Sequence, residues 1–161
     1  MKTKFTIKSI FPLLLFPAII YSVINVSLLL FTDSYYDDKL FPKIFIPSIL
    51  IFSSLIIFGE IKTKFISVEI TQNEIIVKRF LGLQKKKYLL SEIEGLKYSI
   101  ISSKGGTYEY LYLYKNGNKV VKISQFYHRN YDEVKKFTKT KFKNLGYESF
   151  SYRDELKEIF K

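Results

Sequence analysis

Few side chains in this sequence are suited to catalysis. His128 is the only histidine and there is no cysteine, so the common zinc sets of imidazole and thiolate cannot be assembled and disulfides are excluded. With no second histidine, His128 reads as a loop or helix-entry side chain rather than a metal ligand or general base. Glu92 and Glu94 lie two residues apart and share one side of an extended stretch, but no companion acid or nucleophile accompanies them. Gly105 and Gly106 mark a chain reversal, and they lack the spacing and the following Lys-Ser or Lys-Thr of a phosphate-binding loop. No catalytic, cofactor-binding or metal-binding residue is nominated, and neither an enzyme nor a small-molecule substrate is expected.

Binding chemistry is better represented. The chain carries 26 Lys plus Arg against 15 Asp plus Glu, a formal charge of +11, which suits anionic surfaces such as lipid headgroups or nucleic acid. Lys78, Arg79, Lys85, Lys86 and Lys87 cluster around one reversal. Together with Lys62 and Lys64 they are the candidate membrane-facing residues, each worth about 1 kcal/mol near an anionic leaflet. The competing reading is that these lysines keep exposed strands soluble and protect edges. Tyr108, Tyr110, Tyr112 and Tyr114 alternate onto one face of YEYLYLYK and are the candidate protein contacts, with Leu111 and Leu113 on the other face. The same tyrosines invite comparison with a base-stacking platform, but nucleic acid ranks lowest among the expected partners. Lys135, Lys136, Lys139, Lys141 and Lys143 encircle a helix instead of forming a stripe, which reads as a solvated surface.

The elements that must position these residues begin with two apolar runs. Residues Ile10 to Phe31 contain no charge over 22 positions, about 33 Å as a helix, enough for a hydrocarbon layer of roughly 30 Å. A second run, Ile44 to Gly59, extends through Leu40, Phe41 and a snorkelling Lys43, giving expected spans of about 10–31 and 42–61. A cleaved signal peptide is opposed by the overlong apolar core and by the lack of a small-x-small site before Thr32. Ser22, Asn25, Ser53 and Ser54 are the candidate interhelical contacts. Lys2, Lys4 and Lys8 before the first run and Lys62 and Lys64 after the second flank a loop bearing Asp33, Asp37 and Asp38. This bias predicts a hairpin with both termini in the cytoplasm.

Residues 62–146 read as a cytoplasmic α+β domain of about six antiparallel strands and one helix. The strands include KFISVEI and IIVKRF around a QNE turn, then KKKYLL, then YEYLYLYK joined to KVVKISQF by the Asn116-Gly117-Asn118 turn. Asn130 and Glu133 predict a capping box for a helix whose apolar spacing runs through Val134, Phe137, Thr138, Lys141 and Leu145, stopping at Gly146. Residues 147–161 form a tail with a possible short helix.

The segment ISVEITQNEIIVKRFLGLQKKKYLLSEIEGLKY, a strand, polar turn, strand, basic strand and acidic-hydrophobic stretch, resembles the bacterial pleckstrin-homology-like domains of small membrane proteins. The resemblance spans roughly residues 61 to 146. It implies an antiparallel curled sheet or partly open barrel capped by the helix, located at the bacterial inner membrane. The function it implies is that of an adaptor or scaffold contacting lipid, a membrane-protein partner or a second copy. An accessory subunit of a transporter or secretion complex is the alternative, followed by a membrane-tethered nucleic-acid-binding protein.

Overall fold

The structure is a computed structural model. It describes residues 1–103 and 106–159, with Leu81 and Ser103 described by backbone alone, so Gly105 of the expected reversal lies outside the described residues. The chain divides into two compact units, Ile10–Ile61 and Met1–Ser9 with Lys62–Lys161.

The first unit holds α1 (Ile10–Thr32) and most of α2 (Leu40–Lys64). Both helices are long and apolar enough to cross a membrane. Phe11, Leu14, Phe31, Phe41 and Phe52 are exposed, as a helix needs when its solvent is lipid. Between the helices Asp33 accepts a hydrogen bond from Tyr35 N–H at 2.9 Å, and Lys43 pairs with Asp37 at 3.7 Å. Asp33, Ser34 and Asp37 thus turn the chain with their own side chains and backbone.

The second unit contains β1 (Ile66–Ile70), β2 (Glu74–Arg79), β3 (Gln84–Leu89), β4 (Gly95–Ser103), β5 (Gly106–Lys115), β6 (Asn118–Ser124), α3 (Tyr131–Lys141), β7 (Asn144–Tyr147) and α4 (Tyr152–Ile159). Strands β1-β2-β3 make one antiparallel sheet; the second has the order β6-β5-β4-β7. Its last pair, β4 with β7, is parallel. Inward residues of both sheets, among them Val68, Val77, Leu96, Leu111, Leu113 and Ile123, share one core with Tyr131 and Val134 of α3.

This topology corrects the pleckstrin-homology-like expectation. Both sheets are open and the second is mixed, with neither a barrel nor a curled sheet, and β3 does not ladder onto β4. The reason is local. A turn at Leu90–Glu92 ends β3, and the Glu92 carboxylate takes the Leu89 N–H at 3.0 Å. Glu92 also pairs with Lys115 at 2.7 Å, while Glu94 accepts from Gly117 N–H in the β5–β6 turn. The two carboxylates are structural ties.

The single expected helix up to Gly146 is also corrected. Helix α3 stops at Lys141, and Phe142 is extended, so Leu145 and Gly146 belong to β7. Leu96 N–H donates to the Lys143 carbonyl at 2.9 Å, and Gly95 permits this approach. A Cβ there would stand inside van der Waals contact with Lys143 O and the Leu145 side chain. The Asn116–Gly117 turn does form as read, with φ of 50° and 69°, the left-handed pair of a type I′ hairpin.

A segment that sequence reading treated only as flanking charge is part of this unit. Residues 1–9 lie along β1 and along the segment between β6 and α3. Thr3 N–H donates to Val68 O and Arg129 N–H to Lys4 O, both at 2.9 Å, as does Thr6 N–H to Tyr127 O. Asn130 does not cap α3 through its side chain. Its Oδ1 accepts from Lys4 N–H at 2.7 Å and its Nδ2 donates to Lys2 O at 2.9 Å.

Candidate functional site

The seven basic candidates do not form one patch, because strand alternation separates them. The register pairs Lys78 with Lys85 and Ile76 with Lys87, while Val77 pairs with Lys86. Lys78, Lys85 and Lys87 therefore share one face, and Arg79 and Lys86 take the opposite, core-side face. Lys78 meets Glu69 at 3.9 Å and Lys87 meets Glu74 at 3.2 Å. Lys85 and Lys86 stand exposed on β3, the outer strand of its sheet, where lysines discourage edge pairing. Lys64 closes the last turn of α2.

Lys62 and Arg79 come together elsewhere. They line a cavity of about 490 Å³ with Tyr114, Lys119, Lys122 and Glu158. Four cations thus face one carboxylate. Lys119 pairs with Glu148, and Lys122 with Glu155 and Glu158. Among the described residues Lys62 and Arg79 have no ion pair, and Arg79 Nε is buried without an acceptor. A buried guanidinium donor left unpaired costs about 1–3 kcal/mol or more, which a bound anion would recover. Lys119 and Lys122 escaped sequence reading, because they lie in β6, well separated along the chain from Arg79.

The tyrosine face is built on β5. Tyr110, Tyr112 and Tyr114 are 4%, 2% and 6% exposed and pack with Ile101 and Leu145. Tyr108 leaves the set; it stands edge-on to Phe126, ring centroids 5.0 Å apart. Lysines from neighbouring strands lie over the three buried rings. Lys97 sits 4.7 Å from the Tyr114 centroid, Lys119 4.4 Å from Tyr112 and Lys122 5.4 Å from Tyr110. Such contacts contribute about 0.5–1 kcal/mol each where water still reaches them.

The chain's own C-terminal segment meets this platform. Phe150 stacks on Tyr110 at 6.2 Å. Tyr114 Oη donates to Glu148, which also pairs with Lys119 and, at 3.9 Å, with Lys97. Burial raises the Glu148 pKa, but bonds from Lys119 and Tyr114 and the charges of Lys119 and Lys97 outweigh it, leaving a net lowering. Burial first, then the nearby Glu155 carboxylate, pushes the Tyr112 hydroxyl far above the usual phenol range. Tyr110 and Tyr114, two of the four candidate protein contacts, thus meet the chain's own C-terminal segment.

Three of the four candidate interhelical side chains bond to their own helix backbone. Ser22 Oγ donates to Ala18 O at 2.9 Å, Asn25 Nδ2 to Tyr21 O at 2.8 Å and Ser54 Oγ to Ile51 O at 2.7 Å. Ser53 is half-buried on α2.

His128 is an anchor. It is 1% exposed, with Nε2 2.8 Å from Ile66 O and Nδ1 3.3 Å from Ser124 N. Phe5 stacks on its ring and lies flat on Phe65 at 4.2 Å. Burial lowers its pKa despite its backbone contacts with Ile66 and Ser124, and Nδ1 also lies 3.0 Å from Ser124 O. Among the described residues no group of three His, Asp or Glu side chains is placed to hold a metal ion. Comparison with protein-family models, with curated proteins and with solved structures finds no match.

Proposed function

We propose that the chain is a non-enzymatic membrane-anchored adaptor of the bacterial inner membrane, with both termini cytoplasmic, whose α+β unit holds a phosphate-bearing headgroup of its own leaflet. The observation that carries this reading is the cavity where, among the described residues, Lys62 and Arg79 have no ion pair and Arg79 Nε has no acceptor. Lys62 directly follows the last residue of the helical unit, so a spanning α2 delivers it at headgroup depth. The hairpin topology is supported by the membership of residues 1–9 in the same unit as residues from Lys62 onward. Two apolar helices between those segments must return the chain to the side it left.

Native mass spectrometry of the full chain tests this reading. Phosphatidylglycerol is expected to remain bound at fixed stoichiometry where phosphatidylcholine does not, and Lys62→Gln with Arg79→Gln should weaken retention by about tenfold or more. Inorganic phosphate is expected to compete only at far higher concentration. Equal retention of both lipids by parent and variant would reject leaflet docking. Reproducible copurification of a larger membrane complex at constant ratio would instead favour the accessory-subunit role.

A further inference from the structure

The tyrosine platform and the segment resting on it have unequal character. Beneath lie three large buried rings, those of Tyr110, Tyr112 and Tyr114. Above lies α4, eight residues long with no buried residue, a length that cannot sustain a helix alone in water. Tyr152 and Leu156 turn outward, at 68% and 48% exposure, while Ile159 is half-buried. What binds it is charge. Glu155 and Glu158, three residues apart and hence on one side of the helix, both meet Lys122. Phe150 supplies the ring contact ahead of them, and Glu148 meets Lys119 and Lys97.

We infer that the face formed by Tyr110, Tyr112, Tyr114, Lys97, Lys119 and Lys122 is a receptor for an acidic helical segment of a protein partner. Residues 148–159 are its resident, exchangeable occupant. The ligand is defined by the resident's own chemistry: an aromatic residue, then carboxylates five and eight positions later, as in Phe150, Glu155 and Glu158. Charge complementarity argues for that class, since three lysines of the receptor meet three glutamates of the occupant. Exchange follows from the balance of forces. An incoming helix that offered the rings more apolar surface than Phe150 does would outcompete an occupant that points Tyr152 and Leu156 outward. This inference is independent of the lipid reading, whose test substitutes Lys62 and Arg79.

The experiment uses the full chain in nanodiscs and a fluorescent peptide of residues 147–159 as probe, read by anisotropy. Glu155→Lys with Glu158→Lys repels the resident tail. The peptide is expected to bind this variant about tenfold or more tighter than the parent, and to lose that gain when Lys122→Glu is added or salt is raised to about 0.5 M. No binding to the opened variant, or binding indifferent to Lys122, would overturn the inference. Hydrogen exchange on the parent chain gives a second reading that needs no variant. Amides of residues 152–159 should exchange at least about a hundredfold faster than those of β5 and accelerate with salt. Equal protection would make the cover permanent and reject exchange. A salt-sensitive dimer of the parent that the double variant abolishes would assign the face to a second copy's tail and overturn the partner.

Discussion

Residues 1–9 and residues 147–159 are both short segments without a core of their own, yet the unit holds them by different forces. The N-terminal arm is joined by backbone hydrogen bonds to β1 and to the segment before α3, with Phe5 sandwiched between Phe65 and His128. The C-terminal tail is joined by carboxylates on lysines and one aromatic stack. Backbone bonds in a buried setting are insensitive to salt and costly to leave unmade. The pairs of Glu148 and Glu158 have partly exposed carboxylates and are screened and individually weak, and Lys122 with Glu155 is the buried pair of the set. The arm is therefore part of the architecture, and the tail is a cover.

Removing residues 1–6 should have the largest effect. It strands the edge of β1 and uncovers His128, and cooperative thermal unfolding by circular dichroism is expected to disappear. Removing residues 151–161 should lower the midpoint by only a few degrees; equal losses from both deletions would erase the distinction. Next, Tyr112→Ala beneath the tail should cost about 3–5 kcal/mol by chemical unfolding, against about 0.5 kcal/mol or less for Lys85→Ala on the exposed strand. A mild effect at Tyr112 would mean that the platform is not a buried layer. Gly95→Ala should cost about 1–3 kcal/mol by forcing β7 from β4. If its unfolding midpoint matched the parent, the tail's attachment through β7 would need redrawing.

The smallest expected effect separates the two segments by pH. His128 has a lowered pKa in the fold, so its contribution is complete above the unfolded value near 6.5 and erodes as pH falls through the folded value. Glu148 is also lowered, from 4.5, so its ties persist until the solution becomes more acidic than that. Hydrogen exchange of residues 3–6 should accelerate first on acidification and that of residues 148–159 in a lower window. The reverse order would contradict the roles given to His128 and Glu148.

Some of this was legible in the sequence. The two apolar helices announce themselves by length without charge, and Asn116-Gly117 dictates its hairpin by positive φ. The alternation of Tyr110, Tyr112 and Tyr114 fixes their common face. What covers that face is not local information, because Lys122 meets Glu155 and Glu158 more than thirty residues away. Strand β7 hid for another reason: Leu145 continues the apolar spacing of α3, and only the extended backbone at Phe142 ends the helix. The pleckstrin-homology-like resemblance rested on a succession of strands, whereas the fold is decided by which strands ladder, and the Glu92 turn severs β3 from β4. The arm was concealed because Lys2, Lys4 and Lys8 drew attention to charge while Thr3, Phe5 and Thr6 make the contacts.

The long reach of the arm also orders events during synthesis. Thr3 and Phe5 are made well before their partners Val68 and His128, which follow more than 60 and 120 residues later. At about 5–20 residues per second, the arm waits roughly 6–25 s for its last partner. Closing the separation of 65 residues between Thr3 and Val68 carries an entropic cost that the arm's hydrogen bonds and the Phe5 stack on Phe65 must offset.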